Sequence, residues 1–212
     1  MKTNTKILRA STVYHIYNRG INSDTIFSEE KNYAYFLSLY SKYIPQIADT
    51  YAYCLLGNHF HFLIKTKSEH EIISAFQTTK ERKKFLKYDE ATYHISNQFS
   101  KLFNSYVQAY NKMYKRTGAL LENPFRRIEV DNNRYFTALV YYIHSNPAKH
   151  GICNDFTQYQ HSSYSAYIIE KKTQLKKDEV FDWFGNKDEF VKFHSKYHST
   201  SKLLNNHLEI DF

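Results

Sequence analysis

Two short constellations in this chain place reactive side chains at spacings that local structure would bring together. The first is His59-Phe60-His61. On a β-strand, residues two apart project from the same face, so the two imidazoles would point one way and Phe60 the other. Two neutral imidazole nitrogens on one face can ligate one divalent ion. With eleven histidines in 212 residues, chance alone gives about half a pair at this spacing, so the setting decides more than the pair does. Phe60, Phe62, Leu63 and Ile64 make that setting apolar, and polar rings in such a strand need partners. The second constellation is Tyr142 and Asn146 in ALVYYIHSNP, four apart and therefore on one helical face. A tyrosine hydroxyl can attack phosphorus and leave a phosphotyrosine, and an amide oxygen one turn on can complete a metal shell. The competing reading is structural: Leu139, Tyr141, Tyr142 and Ile143 as a core face, and Asn146 before Pro147 as a helix-end cap. On residue types alone the structural reading is the stronger one.

Other candidates read as structural from the outset. Tyr106, Tyr110 and Tyr114 form a helical stripe suited to packing. His194 and His198 are four apart but lack the glutamate of a metalloprotease helix between them, and are expected at the surface. Lys80, Arg82, Lys83 and Lys84 crowd the segment KERKK, either a solvated face or a contact to DNA, and Arg126-Arg127 could hold phosphates. There is no Gly-rich phosphate loop and no nucleophile elbow. The formal charge of +8 favours phosphate-rich partners, since neutralising phosphates releases counterions. Tyrosine and phenylalanine are abundant, 20 and 16, and can stack on unpaired bases, although most must fill a core. Cys54 and Cys153 make neither a disulfide framework nor a zinc cluster, and Cys54 reads as a small buried hydrophobe. The N-terminal stretch lacks the apolar run of a signal peptide and no segment is suited to span a bilayer, so a reducing cytoplasm is the expected compartment.

The elements that must position these residues follow from the pattern. Residues 12–18 read as a strand; a helix starts near Ser28 and runs to Pro45. Strands at 49–56 and 59–65 flank Gly57-Asn58 as a tight hairpin. Helices are expected at 69–87, with a basic end, and at 96–115, stopped by Gly118. A short strand is expected at 125–130, and then a helix capped by Asp131 or Asn132 and closed by Pro147 and Gly151. A short helix near 162–170, a Lys-rich break and a helical tail complete the chain. This order predicts an α+β domain over residues 1–170, helices packed on an antiparallel sheet, with 171–212 as a helical extension.

Five stretches, taken together and in order, resemble the REP-associated tyrosine transposases, relatives of the small insertion-sequence transposases that move single-stranded DNA. They are YHIYNRGINSDTIF (14–27), YCLLGNHFHFLI (53–64), RTGALLENPFRRIEVDNNRYF (116–136), YYIHSNPAKHGI (141–152) and HSSYSAYI (161–168). The family's His-hydrophobic-His metal signature falls on His59-Phe60-His61. Its nucleophile, a Tyr followed four residues on by Asn or Gln, falls on Tyr142 and Asn146; Tyr141 has Ser145 at that position, a poorer ligand. Gly57 stands where many relatives carry Pro, a change expected to alter only the turn. The tail after 171 matches nothing in the family.

The resemblance implies a ferredoxin-like antiparallel sheet with helices packed on one face, the two histidines on a central strand and the tyrosine helix alongside. It implies Mg²⁺ or Mn²⁺ held by His59, His61 and Asn146, hairpin-forming single-stranded DNA as substrate, and cleavage through a 5′-phosphotyrosine on Tyr142. Arg126, Arg127 and the 80–84 cluster would hold the DNA backbone. Monomer and homodimer are both open. The rival readings are a non-catalytic DNA-binding protein of the same fold, a rolling-circle initiator or relaxase, and an ordinary metallohydrolase.

Overall fold

The computed structural model describes residues 7–76, 89–169 and 172–198. Four strands form one antiparallel sheet: β1 (Val13–Arg19), β2 (Ala48–Leu56), β3 (His59–Thr66) and β4 (Arg126–Glu129), in the order β2-β3-β1-β4. β2 and β3 are the two arms of the expected hairpin, turning through Gly57-Asn58. β3 lies between β2 and β1, so the histidine pair sits on a central strand.

The first helices lie between the strands. α1 (Glu30–Tyr43) is capped one residue later than Ser28: Glu29 and Asn32 form a capping box. α2 (Glu69–Phe76) carries the described part of the basic-ended helix, and Lys80, Arg82, Lys83 and Lys84 lie outside the described residues. α3 (Glu90–Met113) starts well before residue 96, because the Asp89 carboxylate accepts from the Thr92 amide at 2.8 Å and Ala91 and Ile95 are buried. Tyr106, Tyr110 and Tyr114 form a packing stripe along α3. The Tyr110 hydroxyl donates to the Thr25 carbonyl at 2.9 Å and Tyr114 to Glu29 at 2.6 Å, while the Tyr106 hydroxyl donates to the Ile26 carbonyl. The braced 25–27 segment in turn donates from Ile26 and Phe27 amides to the Gly57 carbonyl. The hairpin turn that leads into His59 is thereby fixed from α3. Gly20 is required nearby, since a Cβ there would lie 2.0 Å from the Asp24 carbonyl oxygen.

Strand pleating divides the apolar side chains between two cores. Tyr14, Ile16, Phe60, Phe62 and Ile64 meet Phe36 of α1, Phe76 of α2 and Phe99, Leu102 and Tyr106 of α3. This βαββαβ unit has its helices on one face, as expected of a ferredoxin-like sheet. The opposite face is covered as well, which differs from the expectation of helices on one face. Seven of the eight residues of β3 are buried, and a strand buried on both sides must be packed on both sides. The second cover is α4 (Asn133–Lys149), α5 (Tyr164–Ile168), α6 (Lys177–Phe184) and α7 (Lys187–His198). Asn132 caps α4, accepting from the Tyr135 amide at 2.8 Å. α4 runs through Pro147 to Lys149 rather than closing there.

Leu63, Ala52, Cys54 and Leu56 of the sheet, Leu139 and Val140 of α4, Val180 of α6 and Phe190 of α7 share this second core. Two helices of the C-terminal extension therefore complete the cover over α4. Among the described residues no helix is long and apolar enough to cross a membrane.

Phe190 is fully buried and its ring lies within 4.9 Å of Tyr167 and 5.0 Å of Phe184, centroid to centroid. Phe190→Ala is expected to cost about 3–5 kcal/mol of unfolding free energy, read as a lower urea midpoint. An unchanged midpoint would show that α7 unfolds independently of the sheet.

Candidate metal centre and nucleophile

The site is built where β3 faces α4. The strand's pleat sends His59 and His61 to the second core, opposite Phe60 and Phe62. Tyr142 and Asn146, one helical turn apart, come down on them. Tyr142 packs edge-on to His61 with ring centroids 5.6 Å apart, and the Asn146 side-chain oxygen is 3.2 Å from His59 Nε2. Asn146 is fully buried within the helix, so it is not a terminal cap. The adjacent Tyr141 packs against Phe156, Phe193 and His194, away from the histidine pair. The structure thus brings together His59, His61, Tyr142 and Asn146 and sets Tyr141 apart.

The hydrogen bonds around His59 bear on what the site holds. Its Nδ1 lies 2.7 Å from the Asn58 side-chain oxygen and its Nε2 3.2 Å from that of Asn146. Burial pushes His59 down to about 4, the Asn146 contact opposing this and His150 and Arg19 adding to it, so the ring is neutral near pH 7. A neutral imidazole has one N–H to donate, and both oxygens are acceptors. One contact therefore sets lone pair against lone pair unless an amide is turned over. A cation between Nε2 and the Asn146 oxygen resolves the conflict. Turning over the Asn146 amide would resolve it as well, giving the side-chain nitrogen, otherwise buried without a hydrogen-bond partner, an acceptor in His59 Nε2.

Among the described residues no three of His, Cys, Asp and Glu gather as a metal-binding group. An ion here would have two imidazole nitrogens and one amide oxygen, a mixed donor set that leaves positions for water or phosphate oxygens. The residues fit a divalent cation on those terms.

Two further histidines belong to the site, and the sequence singled out neither. His15 of β1 is fully buried, its Nε2 2.9 Å from His61 Nδ1. His150, just past α4, lies 4.9 Å from His59, ring to ring. The signal for His15 was its place in the first strand two residues from Tyr17, whose register partner is His61. Reading it requires the strand pairing. Around the rim, Arg19 pairs with His59 in register, and Lys149 Nζ lies 5.0 Å from the Tyr142 ring centre. Arg126 shares this face through its pairing with Tyr17. Arg127 does not: it pairs with Ile16 on the other face, and its guanidinium lies 4.0 Å over the Phe125 ring. Burial lowers its pKa, and its Nε has no partner. Alternation along a four-residue strand separates the two arginines.

His194 is not a surface residue. It is fully buried, donating from Nδ1 to the Phe190 carbonyl at 2.8 Å. Its Nε2 then accepts from His144 Nδ1 at 3.0 Å, and His144 Nε2 accepts from the Ser163 hydroxyl at 2.8 Å. This chain fixes every tautomer in it and ties α7 to α4 behind the candidate site.

No family model matches the sequence, and no curated protein matches it. Among solved structures, the chain is similar to a REP-associated tyrosine transposase bound to a REP hairpin. The TM-score is 0.52 at 11% sequence identity, covering 79% of this chain and 86% of that one. The two share an α+β fold.

The buried His144–His194 pair sets a pH dependence. Burial pushes His194 down to about 4 and His144 well below its ordinary range. Both are neutral in the folded state, while the unfolded chain takes up protons below about 6.5. Stability is full above pH 6.5 and falls as the pH drops toward 4, the unfolded state binding more protons. His194→Leu should be less stable than the parent at pH 7 yet lose less between pH 7 and 4.5, by on the order of 2–3 kcal/mol. Urea titrations at the two pH values measure this; parallel losses in both proteins would contradict it.

Proposed function

We propose that this chain, with its transposase-like fold, is a metal-dependent DNA strand transferase that cleaves and rejoins single-stranded, hairpin-forming DNA through Tyr142. The observation that carries the reading is the placing of Tyr142 and Asn146 on one face of α4 directly over His59 and His61. The solved structure of similar fold holds a REP hairpin, which supports hairpin DNA as the substrate class. The excess positive charge is in keeping with a phosphate-rich partner.

His59, His61 and Asn146 would hold a divalent ion, Mg²⁺ or Mn²⁺, through two ring nitrogens and an amide oxygen. When bound, such an ion polarises the scissile phosphate and orients it. The chain's own residues do the rest. Tyr142 Oη attacks phosphorus and gives up its proton; the bond from phosphorus to the 3′-oxygen breaks, and that oxygen leaves as a 3′-hydroxyl. The DNA 5′ end is left on the tyrosine as a phosphodiester. Attack by a second strand's 3′-hydroxyl reverses these steps and restores the tyrosine, so rejoining needs no external energy source. Arg19, Arg126 and Lys149, on the rim of this face, would hold the DNA backbone and bring phosphate to the tyrosine. Arg127, on the opposite face, is left out of that set.

A second reading has one observation in its favour. Tyr142 is only 5% exposed and His61 and Asn146 are fully buried, as they would be in a protein that uses this fold to bind DNA without cutting it. The two readings part on one experiment. With 5′-extended single-stranded hairpin DNA and Mn²⁺, the parent protein should form a covalent adduct resolved by denaturing gel and mapped by mass to Tyr142. Tyr142→Phe should lose the adduct completely and keep hairpin affinity within about twofold, whereas Tyr141→Phe should retain the adduct. Hairpin binding with no adduct in the parent establishes the second reading, and an adduct that persists in Tyr142→Phe removes Tyr142 from its role.

A further inference from the structure

His15 adjoins the proposed ligand pair without being a ligand itself. It sits on β1, fully buried, with its ring beside that of His61 and nearly coplanar with it, 5.1 Å between centroids and 17° between planes. Its Nε2 is 2.9 Å from His61 Nδ1. Its own Nδ1 is buried without a hydrogen-bond partner. Two imidazoles of this kind, both neutral as their burial requires, share one hydrogen bond and have two ways to do it. In one, His15 Nε2–H donates to His61 Nδ1; His61 then carries its proton on Nε2 and has no lone pair there. In the other, His61 Nδ1–H donates to His15 Nε2, and the lone pair of His61 is on Nε2. Only the second arrangement lets His61 act as a ligand through Nε2, and its cost, an unsatisfied N–H at His15 Nδ1, falls on His15 alone.

We propose that His15 is a positioning residue: by accepting a hydrogen bond from His61 Nδ1 it holds His61 in the tautomer and ring orientation that present Nε2 to a divalent cation. The inference rests on the metal-centre reading above and extends it to β1. A ligand histidine with its second nitrogen bonded to a fixed acceptor is both more basic and better oriented than one without. Here the acceptor is another imidazole, held by a strand register in which Tyr17, two residues on, pairs with His61. The acceptor and the ligand therefore come from adjacent strands, and their spacing is set by the sheet.

The test uses the full-length protein without DNA. Mn²⁺ affinity, measured by calorimetry and by the loss of free-ion EPR signal, should fall about 10–100-fold in His15→Phe, which keeps the ring and removes the acceptor. His15→Gln, whose side-chain oxygen can accept the same bond, should stay within about threefold of the parent. Long-range ¹H–¹⁵N spectra of histidine-labelled, metal-free parent should show His61 protonated at Nδ1 and bare at Nε2. This second measurement needs no variant to fold. Equal Mn²⁺ affinity in parent and His15→Phe, or His61 protonated at Nε2 in the parent, overturns the role of His15 while leaving the metal centre standing. A parent that binds no Mn²⁺ overturns both.

Discussion

Everything about this molecule's candidate chemistry follows from the burial of two imidazoles on a central strand that is packed on both sides. β3 alternates Phe60, Phe62 and Ile64 toward α1–α3 with His59, His61 and Leu63 toward α4. The first set is ordinary core. The second places polar rings where water does not reach, and a buried polar group without a partner costs on the order of 1–3 kcal/mol. The fold meets that cost with local partners: Asn58 and Asn146 for His59, His15 for His61. Each partner is neutral, and each contact depends on which nitrogen carries the proton. A site assembled this way brings no formal charge of its own from Asn58, Asn146, His15 and His59, which is in keeping with the divalent cation proposed for it.

The positions of these partners depend in turn on parts of the fold that have no chemistry. The tyrosine stripe of α3 braces the 25–27 segment, whose amides hold the Gly57 carbonyl, and this fixes the turn before His59. On the other side, the Ser163–His144–His194 chain holds α4 against α5 and α7. α4 is thus clamped between the sheet and the C-terminal helices. Its two faces do different work: Tyr142 and Asn146 look toward the histidine pair, while Tyr141 and His144 look toward α7.

How much of this was legible in the sequence depends on the range of the interactions. Strand and helix periodicities gave the order of elements, since β1–β4, α1 and α4 all leave local patterns. The His59–His61 and Tyr142–Asn146 pairs were readable as same-face spacings, and the family resemblance supplied the reason to put them together. Three things were out of reach. His15 matters only through cross-strand pairing with β3, and residues 46 apart in sequence show no periodicity. Arg126 and Arg127 look equivalent in sequence, and only the register with Tyr17 and Ile16 parts them. His194 reads as a surface residue because α7 is rich in Lys, Asp and Glu, yet one buried turn of that helix is enough to bring it to His144.

The same clamping constrains how the site could work. Tyr142 is nearly sealed and Asn146 wholly so, so a phosphate can reach them only if α4 shifts or its last turn loosens. Pro147 sits in that last turn, and its missing N–H removes one of the hydrogen bonds that would otherwise hold it. The adjoining residues Lys149 and His150 are exposed and lie beside Tyr142 and His59. The end of α4 thus lacks one helical hydrogen bond and carries Asn146 of the site, whereas its middle is tied to α7 through His144. An opening confined to the last turn would uncover Asn146 and leave the α7 contacts intact. One that moved the whole helix would have to break the buried His144–His194 bond as well.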